Sequence, residues 1–287
     1  MTCLMGGVLM FRNILLMLFV FIVFGCTKPE PVGQKKSVGG KTLYLVMMSE
    51  PETLHPLKMT GSYGSQIRGY VTDSLARTDL STYENVPALA KKWEMSEDGL
   101  MYTVHLREGV EYTNGEKFDA SYVKRNFDMR MDDAYGSFAI RPYIENVDKI
   151  EVVEPYIVKI FFKKKYFGNF DAFASLAQIP VKMYKDPKKK LNKTMIGSGP
   201  FMIDKYDKGR SITLKKNLNW WGWKEEHPYY KNIYQFDKIH FKFIKDEVKR
   251  LEMVKKEKID FTMLTSEQYV KKTEGKPWGE NLSLIHI

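Results

Sequence analysis

The pattern of apolar and polar positions divides the chain into a leader and a body. Residues 14–25 are apolar almost without a break, Arg12 stands just before them, and the run stops at Gly25-Cys26. A membrane-crossing helix needs about 20 apolar residues. A shorter run with a basic flank and a small residue before a cut point reads as a secretory signal, covering residues 1–25. Met10 is an alternative start, because the run from there already holds every part of such a signal. Residues 26–40, rich in Pro, Gly, Lys and Ser, read as a flexible tether. The body opens with a continuous apolar run over 43–48, the pattern of a strand buried on both faces. A loop bounded by Pro51 and Pro56 follows it.

Further along, Ile67, Tyr70, Val71, Ser74 and Leu75 recur near 3.6 spacing and predict a helix over 65–75. Tyr102, Val104 and Leu106 alternate with polar neighbours, which predicts a half-buried strand. Val110 and Tyr112 suggest a second, short strand, and Asn114-Gly115 a tight turn. Asp119 is placed to cap a helix whose inner face carries Val123, Phe127 and Met131. A strand pair turning at Glu154-Pro155 follows, then a connection over 180–190 and a strand on either side of Lys208-Gly209. The segments "FDKIHFKFIKD", "EVKRLEMVKKE" and "KIDFTML" read as strand, helix and strand, a right-handed crossover unit of a mostly parallel sheet. "SEQYVKK" predicts a last helix, and no internal repeat is present.

Composition changes this picture in two places. The two cysteines are Cys3, inside the leader, and Cys26, so no disulfide framework can hold the exported body. The net charge of +10 raises the question of nucleic acid. Many of the lysines, however, are interleaved with acids, as in "KDEVKRLEMVKKEKID", the pattern of a solvated helix face. Export also separates the protein from the cell's nucleic acids. A basic surface facing anionic lipid or wall polymer accounts for the charge, and no nucleic-acid partner is expected.

Catalytic patterns are absent. "SVGGKT" falls short of a phosphate-binding loop, because Lys35 stands where the pattern needs glycine and the segment precedes a strand. "GSGPF" lacks the third glycine of a dinucleotide fingerprint. His55, His105, His227, His240 and His286 have no paired metal-ligand spacing. The expectation is no catalytic residue, no metal and no cofactor.

Several separated motifs agree on one family. "LAKKWEMSEDGLMYTVHLREGVEYTNGEKFDASYVKRNF" resembles the hallmark region of family 5 extracellular solute-binding proteins, the peptide, dipeptide and nickel receptors of ATP-binding-cassette importers. The matching positions are Leu89-Ala90, Trp93, Asp98-Gly99, Tyr102, Leu106-Arg107, Gly109, Gly115 and Ala120 followed by Val123. "IGSGPFMIDKY" resembles the family's Gly-Thr-Gly-Pro-Tyr segment, with Ser198 and Phe201 as departures. "NLNWWG" departs from its relative at Leu218, "EKIDFTML" at Lys256, and "EPETLHPL" at His55. Val23-Phe24-Gly25-Cys26 resembles the bacterial lipobox, in which the cysteine is acylated, although Phe24 is larger than usual there. An uncleaved anchor helix or plain secretion are the other readings of the leader.

The resemblance implies an α/β, periplasmic-binding-protein type II-like fold. Residues 41–60 and 190–264 would form the first lobe, 61–189 an inserted α+β subdomain, and 265–287 the start of a second lobe. Because family members run to roughly twice this length, the second lobe is expected to be largely missing and the chain to be a fragment with exposed apolar surface. The implied function is capture of peptides by closure of two lobes and delivery to a permease and ATPase. Other solutes (nickel chelates, oligosaccharides, opines, haem) and a sensing or adhesion lipoprotein are the alternatives. The implied location is outside the cell membrane, lipid-anchored through Cys26. Candidate ligand-binding residues are Glu52, an acid placed for a peptide's amino group; Tyr63, a flat wall just before the first helix; and Tyr135, where peptide-binding relatives carry a cleft aromatic. Each also reads as an ordinary solvated or packing residue. Trp220, Trp221 and Trp223 resemble a stacking platform, but the matched segment is structural in the family.

Overall fold

The computed structural model describes residues 40–231 and 233–272; the expected leader, the candidate acylation site Cys26, the expected tether before Gly40 and residues 273–287 lie outside the described residues. Strand β1 (Thr42–Met47) forms a four-stranded sheet with β8 (Phe201–Asp207), β9 (Ser211–Lys216) and β10 (Lys238–Phe243), in the order β1-β10-β9-β8. The sheet is not mostly parallel. Only β1 and β10 run parallel, while β9 pairs antiparallel with both neighbours. The reason is local: Gly209, at φ +70°, closes β8 and β9 into a hairpin, as a turn glycine can.

One face of this sheet packs Leu45, Met47, Phe201, Ile212, Leu214, Ile239 and Phe241 against Ile67 and Val71 of helix α1 (Ser62–Val71). β1 is therefore buried on one face, not two. It is an edge strand, and on its other face Tyr44 is 39% exposed, with the Lys242 ammonium 5.3 Å from its ring. Residues 258–264 form no strand. The Asp260 N–H donates to the Tyr44 carbonyl, but the Tyr44 N–H donates to the Asp260 side chain at 2.7 Å. A carboxylate thus takes the bond that a ladder would give to a carbonyl, and pairing stops there.

A second sheet is wholly antiparallel, in the order β4 (Ala90–Met95), β5 (Met101–Leu106), β7 (Ile157–Phe162), β6 (Val147–Glu154). A short ribbon, β2 (Ala76–Thr78) with β3 (Asn85–Pro87), lies beside it in the chain. Helix α2 (Ala120–Met131) starts at Asp119, whose carboxylate accepts the Ser121 N–H at 2.8 Å. Its inner face differs from the expected one. Val123 is buried and Phe127 half-buried, but Met131 is 37% exposed, and Asn126 and Arg130 turn inward instead. Asn126 donates to the Ile179 carbonyl, and Arg130 to the carbonyls of Asn126 and Ala177. Buried polar groups that answer loop carbonyls leave no trace in apolar spacing. Val110 and Tyr112 are buried, yet the segment makes only an isolated bridge, Glu111 to Lys117, around Gly115 at φ +83°.

The remaining helices are short: α3 (Arg141–Ile144), α4 (Asn169–Ala174), α5 (Val181–Tyr184), α6 (Pro228–Lys231), α7 (Glu247–Lys255) and α8 (Ser266–Lys272). α1 starts three residues before the periodic pattern does and stops at Val71, because Thr72 is extended.

Two motifs from the sequence meet at the end of α1. A Cβ on Gly197 would lie 2.0 Å from the Val71 carbonyl oxygen, and one on Gly199 would lie 2.7 Å from the Val71 carbonyl carbon. The Gly199 N–H donates to Val71 at 2.9 Å. The glycines of "GSGP" are thus required by close backbone approach. Just beyond, the Asp73 carboxylate accepts the indole N–H groups of Trp220 (2.9 Å) and Trp221 (2.8 Å) and pairs with Arg77 at 2.6 Å. Arg107 of "LREG" lies 4.1 Å over the Trp221 ring and pairs with Glu225 at 2.5 Å. The three tryptophans are packing residues: Trp220 is fully buried against Val86 and Tyr230, and Trp223 donates to the Asn217 carbonyl.

Candidate functional site

β1 delivers the chain into a loop that is anchored by buried side chains and backbone hydrogen bonds. Pro51, Leu54, His55, Pro56, Leu57 and Met59 are all buried. Leu54 N–H donates to the Asn192 carbonyl at 2.7 Å, and His55 N–H to the Thr53 hydroxyl at 3.0 Å. With the start of α1, this loop encloses a cavity of about 220 Å³, lined by residues 49–53 and 59–64.

Glu52 and Tyr63 both line that cavity. Glu52 is exposed, and Tyr63 is half-buried in the first turn of α1, not before it. Tyr135 lies elsewhere. It lines a second cavity of about 240 Å³ with Arg125, Asp128, Met129, Val181, Lys182 and Lys185. Its hydroxyl donates to the Lys185 carbonyl at 2.7 Å, and Lys58 of the first loop donates to the Pro187 carbonyl at 3.2 Å. The loop of the first cavity and the aromatic of the second are thus tied to one segment, 185–187.

Two features of the first cavity escape the sequence pattern. The Tyr206 hydroxyl donates to Glu50, which shares the lining. Burial, with the Glu50 carboxylate, pushes the Tyr206 phenol well above its ordinary value, so it stays a donor. α1 also begins at Gly61 without any side-chain cap, and its first turn holds no acid. The free N–H groups of a helix start form a donor set, here on the same cavity that Glu52 lines. The wall can therefore receive an amine and an amide or carboxylate oxygen together. Only the S/T/D/N rule for helix caps, applied to Gly61, hints at this in the sequence.

His55 supports the loop from behind. It is 2% exposed, its Nδ1 accepts the Leu57 N–H at 3.3 Å, and its ring meets Tyr184 edge-on at 5.1 Å. Burial, helped by Lys58, pushes its pKa down from 6.5 to about 4. The unfolded chain takes up this proton near pH 6.5 and the folded one only near 4, so stability falls as pH drops through that window. A loss on the order of 3 kcal/mol between those limits is expected, levelling off below pH 4. Urea melts of the protein and of His55→Gln across this range check it: the variant's dependence should be flatter by that amount, and parallel curves would contradict the assignment.

The type II architecture defines the class. In the fold comparison, the DppA periplasmic binding protein of Helicobacter pylori in complex with peptide STSA matches with a TM-score of 0.72 at 23% identity, covering 83% of this chain and 49% of that one. NikZ of Campylobacter jejuni, in complex with Ni(L-His), matches at 0.68 and 24%, covering 83% and 46%. At these identities the likeness shows the fold, α/β of the periplasmic-binding-protein type II kind. The profile of the bacterial extracellular solute-binding proteins, family 5 (middle), matches residues 84–283, and the chain belongs to that family. The glutathione-binding protein GsiB of Escherichia coli is 33% identical over 135 residues, 46% of this chain and 26% of GsiB. The chain spans about a quarter of that relative's length and about half of the solved structures.

Proposed function

We propose that this chain is the first-lobe part of a lipid-anchored receptor of an ATP-binding-cassette importer, which captures peptides by lobe closure and passes them to a permease and its ATPase. On this reading, residues 41–60 and 190–264 are the lobe and 61–189 the inserted subdomain. Ligand that touches both lobes favours the closed form by its differential affinity, and that difference drives closure. The chain itself carries out no reaction. Acylation of Cys26 tethers it to the outer side of a membrane.

The observation that carries the peptide reading is the first cavity, whose lining includes Glu52, Tyr63 and the uncapped start of α1. A peptide's amino group is complementary to Glu52, and its backbone oxygens to free N–H groups, while neither contact depends on the ligand's side chains. Peptide STSA on DppA is consistent with this, whereas Ni(L-His) on NikZ shows that a similar fold also takes a chelate.

The test is calorimetric titration of trialanine and acetyl-trialanine into the protein and its Glu52→Gln variant. A charge-assisted bond contributes about 1.5–3 kcal/mol, so trialanine should weaken by roughly tenfold or more in the variant. Acetyl-trialanine, which lacks the cationic amine, should bind weakly and equally to both. Equal loss for the two peptides would remove Glu52 from the amine site.

A further inference from the structure

We propose that the loop 163–168, at the far end of the second sheet, is a membrane-surface contact that sets Tyr166 and Phe167 into the headgroup region of an anionic bilayer. β7 ends at Phe162 and is followed by Lys163, Lys164 and Lys165, then the two aromatic residues. Phe167 is 88% exposed and Tyr166 56%, and their rings lie 4.6 Å apart. Tyr143, on α3, is 68% exposed. α3 packs against α4, which begins directly after the loop.

The exposure of these rings is built in. Lys163 N–H donates to the Asn146 carbonyl at 2.9 Å, and the Asn146 side chain donates to the Lys164 carbonyl at 2.9 Å and to Asn169 at 2.5 Å. Asn169 is itself buried, and its side chain donates to the same Lys164 carbonyl at 2.9 Å. The Asn169 N–H closes the loop onto the Tyr166 carbonyl at 3.2 Å. The Tyr166 ring folds over Gly168, where a Cβ would come within 2.9 Å of it. The amides of half-buried Asn146 and buried Asn169 therefore hold the backbone of a loop whose apolar side chains face water.

Charge selects the occupant. Lys163 reaches the Glu145 carbonyl, and Lys165 lies along Gly99 beside Asp98. The Lys164 ammonium has no carboxylate partner among the described residues. Exposed aromatic rings directly after a run of three lysines match a lipid interface, where rings settle at headgroup depth and lysines meet anionic phosphates. Protein interfaces, by contrast, are depleted of lysine. An extracellular family member meets such a surface whenever it works beside a membrane.

Hydrogen exchange of the full chain with vesicles tests this. One set is phosphatidylcholine with about 30% phosphatidylglycerol, a strongly anionic surface; the other is phosphatidylcholine alone. Exchange of amides in 163–168 should slow about fivefold on the anionic vesicles, in keeping with about 1 kcal/mol from a single lysine, Lys164, which lacks a carboxylate partner among the described residues, and much less on neutral ones. Phe167→Ser and Lys164→Glu should each abolish the slowing while leaving exchange in the rest of the subdomain unchanged. Because the readout is local, retention of the chain through its leader does not affect it. No slowing at the loop, equal slowing on neutral vesicles, or slowing that persists in Phe167→Ser would each overturn the proposal.

Discussion

Replacing Asp73 with alanine is expected to destabilise the protein by about 3–5 kcal/mol, the usual cost of removing one partner of a buried ion pair. Asp73 is 1% exposed. Its loss would strand the Arg77 guanidinium, whose pairing oxygen is 2.6 Å away, and the indole N–H groups of Trp220 and Trp221. Domains of this kind are stable by only about 5–15 kcal/mol, so the variant should be close to unfolding. Asp73→Asn keeps one acceptor oxygen, which can serve the two indoles that share Oδ2, but loses the charge facing Arg77, and should fall between the wild type and the alanine variant. Urea denaturation followed by tryptophan fluorescence reads the effect. A loss below about 1 kcal/mol, the scale of a surface pair, would mean that this junction does not hold α1 to the tryptophan segment.

Gly197→Ala is expected to be as severe, for a different reason. The added methyl carbon would stand 2.0 Å from the Val71 oxygen and 2.9 Å from the Thr72 Cα, all backbone. Overpacking costs about 1–3 kcal/mol where side chains can yield; backbone at a helix end yields less, so about 3 kcal/mol or more is expected. Gly209→Ala is the control. That glycine has φ +70° but nothing within 4 Å of its absent Cβ, so only the left-handed backbone penalty of roughly 1–2 kcal/mol applies. Thermal melts of both variants should rank Gly197→Ala well below Gly209→Ala. Equal melting temperatures would remove the close-approach account of "GSGP".

Local patterns carried much of the secondary structure. Alternation located β5 (Met101–Leu106), Asp119 capped α2, and the Lys208-Gly209 turn joined β8 to β9. These depend on neighbours within a few residues. What escaped depends on partners far away in the chain. Asp73 sits in "VTDSLA" with no periodicity, and its two tryptophan partners lie 147 and 148 residues further on. The apolar run at 43–48 could not reveal that β1 has one covered face, because that is a property of sheet order. "KIDFTML" has the composition of a strand, but Asp260 turns its own side chain onto Tyr44 and ends the pairing. At the candidate site, acid and aromatic could be picked by residue type, and Glu52 and Tyr63 do share a cavity. The uncapped start of α1 and the Tyr206–Glu50 bond arise from folding alone.

The central claim is that this chain forms one wall of a receptor for peptides. Its most direct test is mass spectrometry of the small molecules released by acid from the protein purified from its own cells. Short peptides of mixed sequence with free amino termini are expected, because on the proposed reading the ligand is held by its backbone and amine. A single non-peptide solute recovered in stoichiometric amount, such as a metal chelate or a sugar, would contradict it.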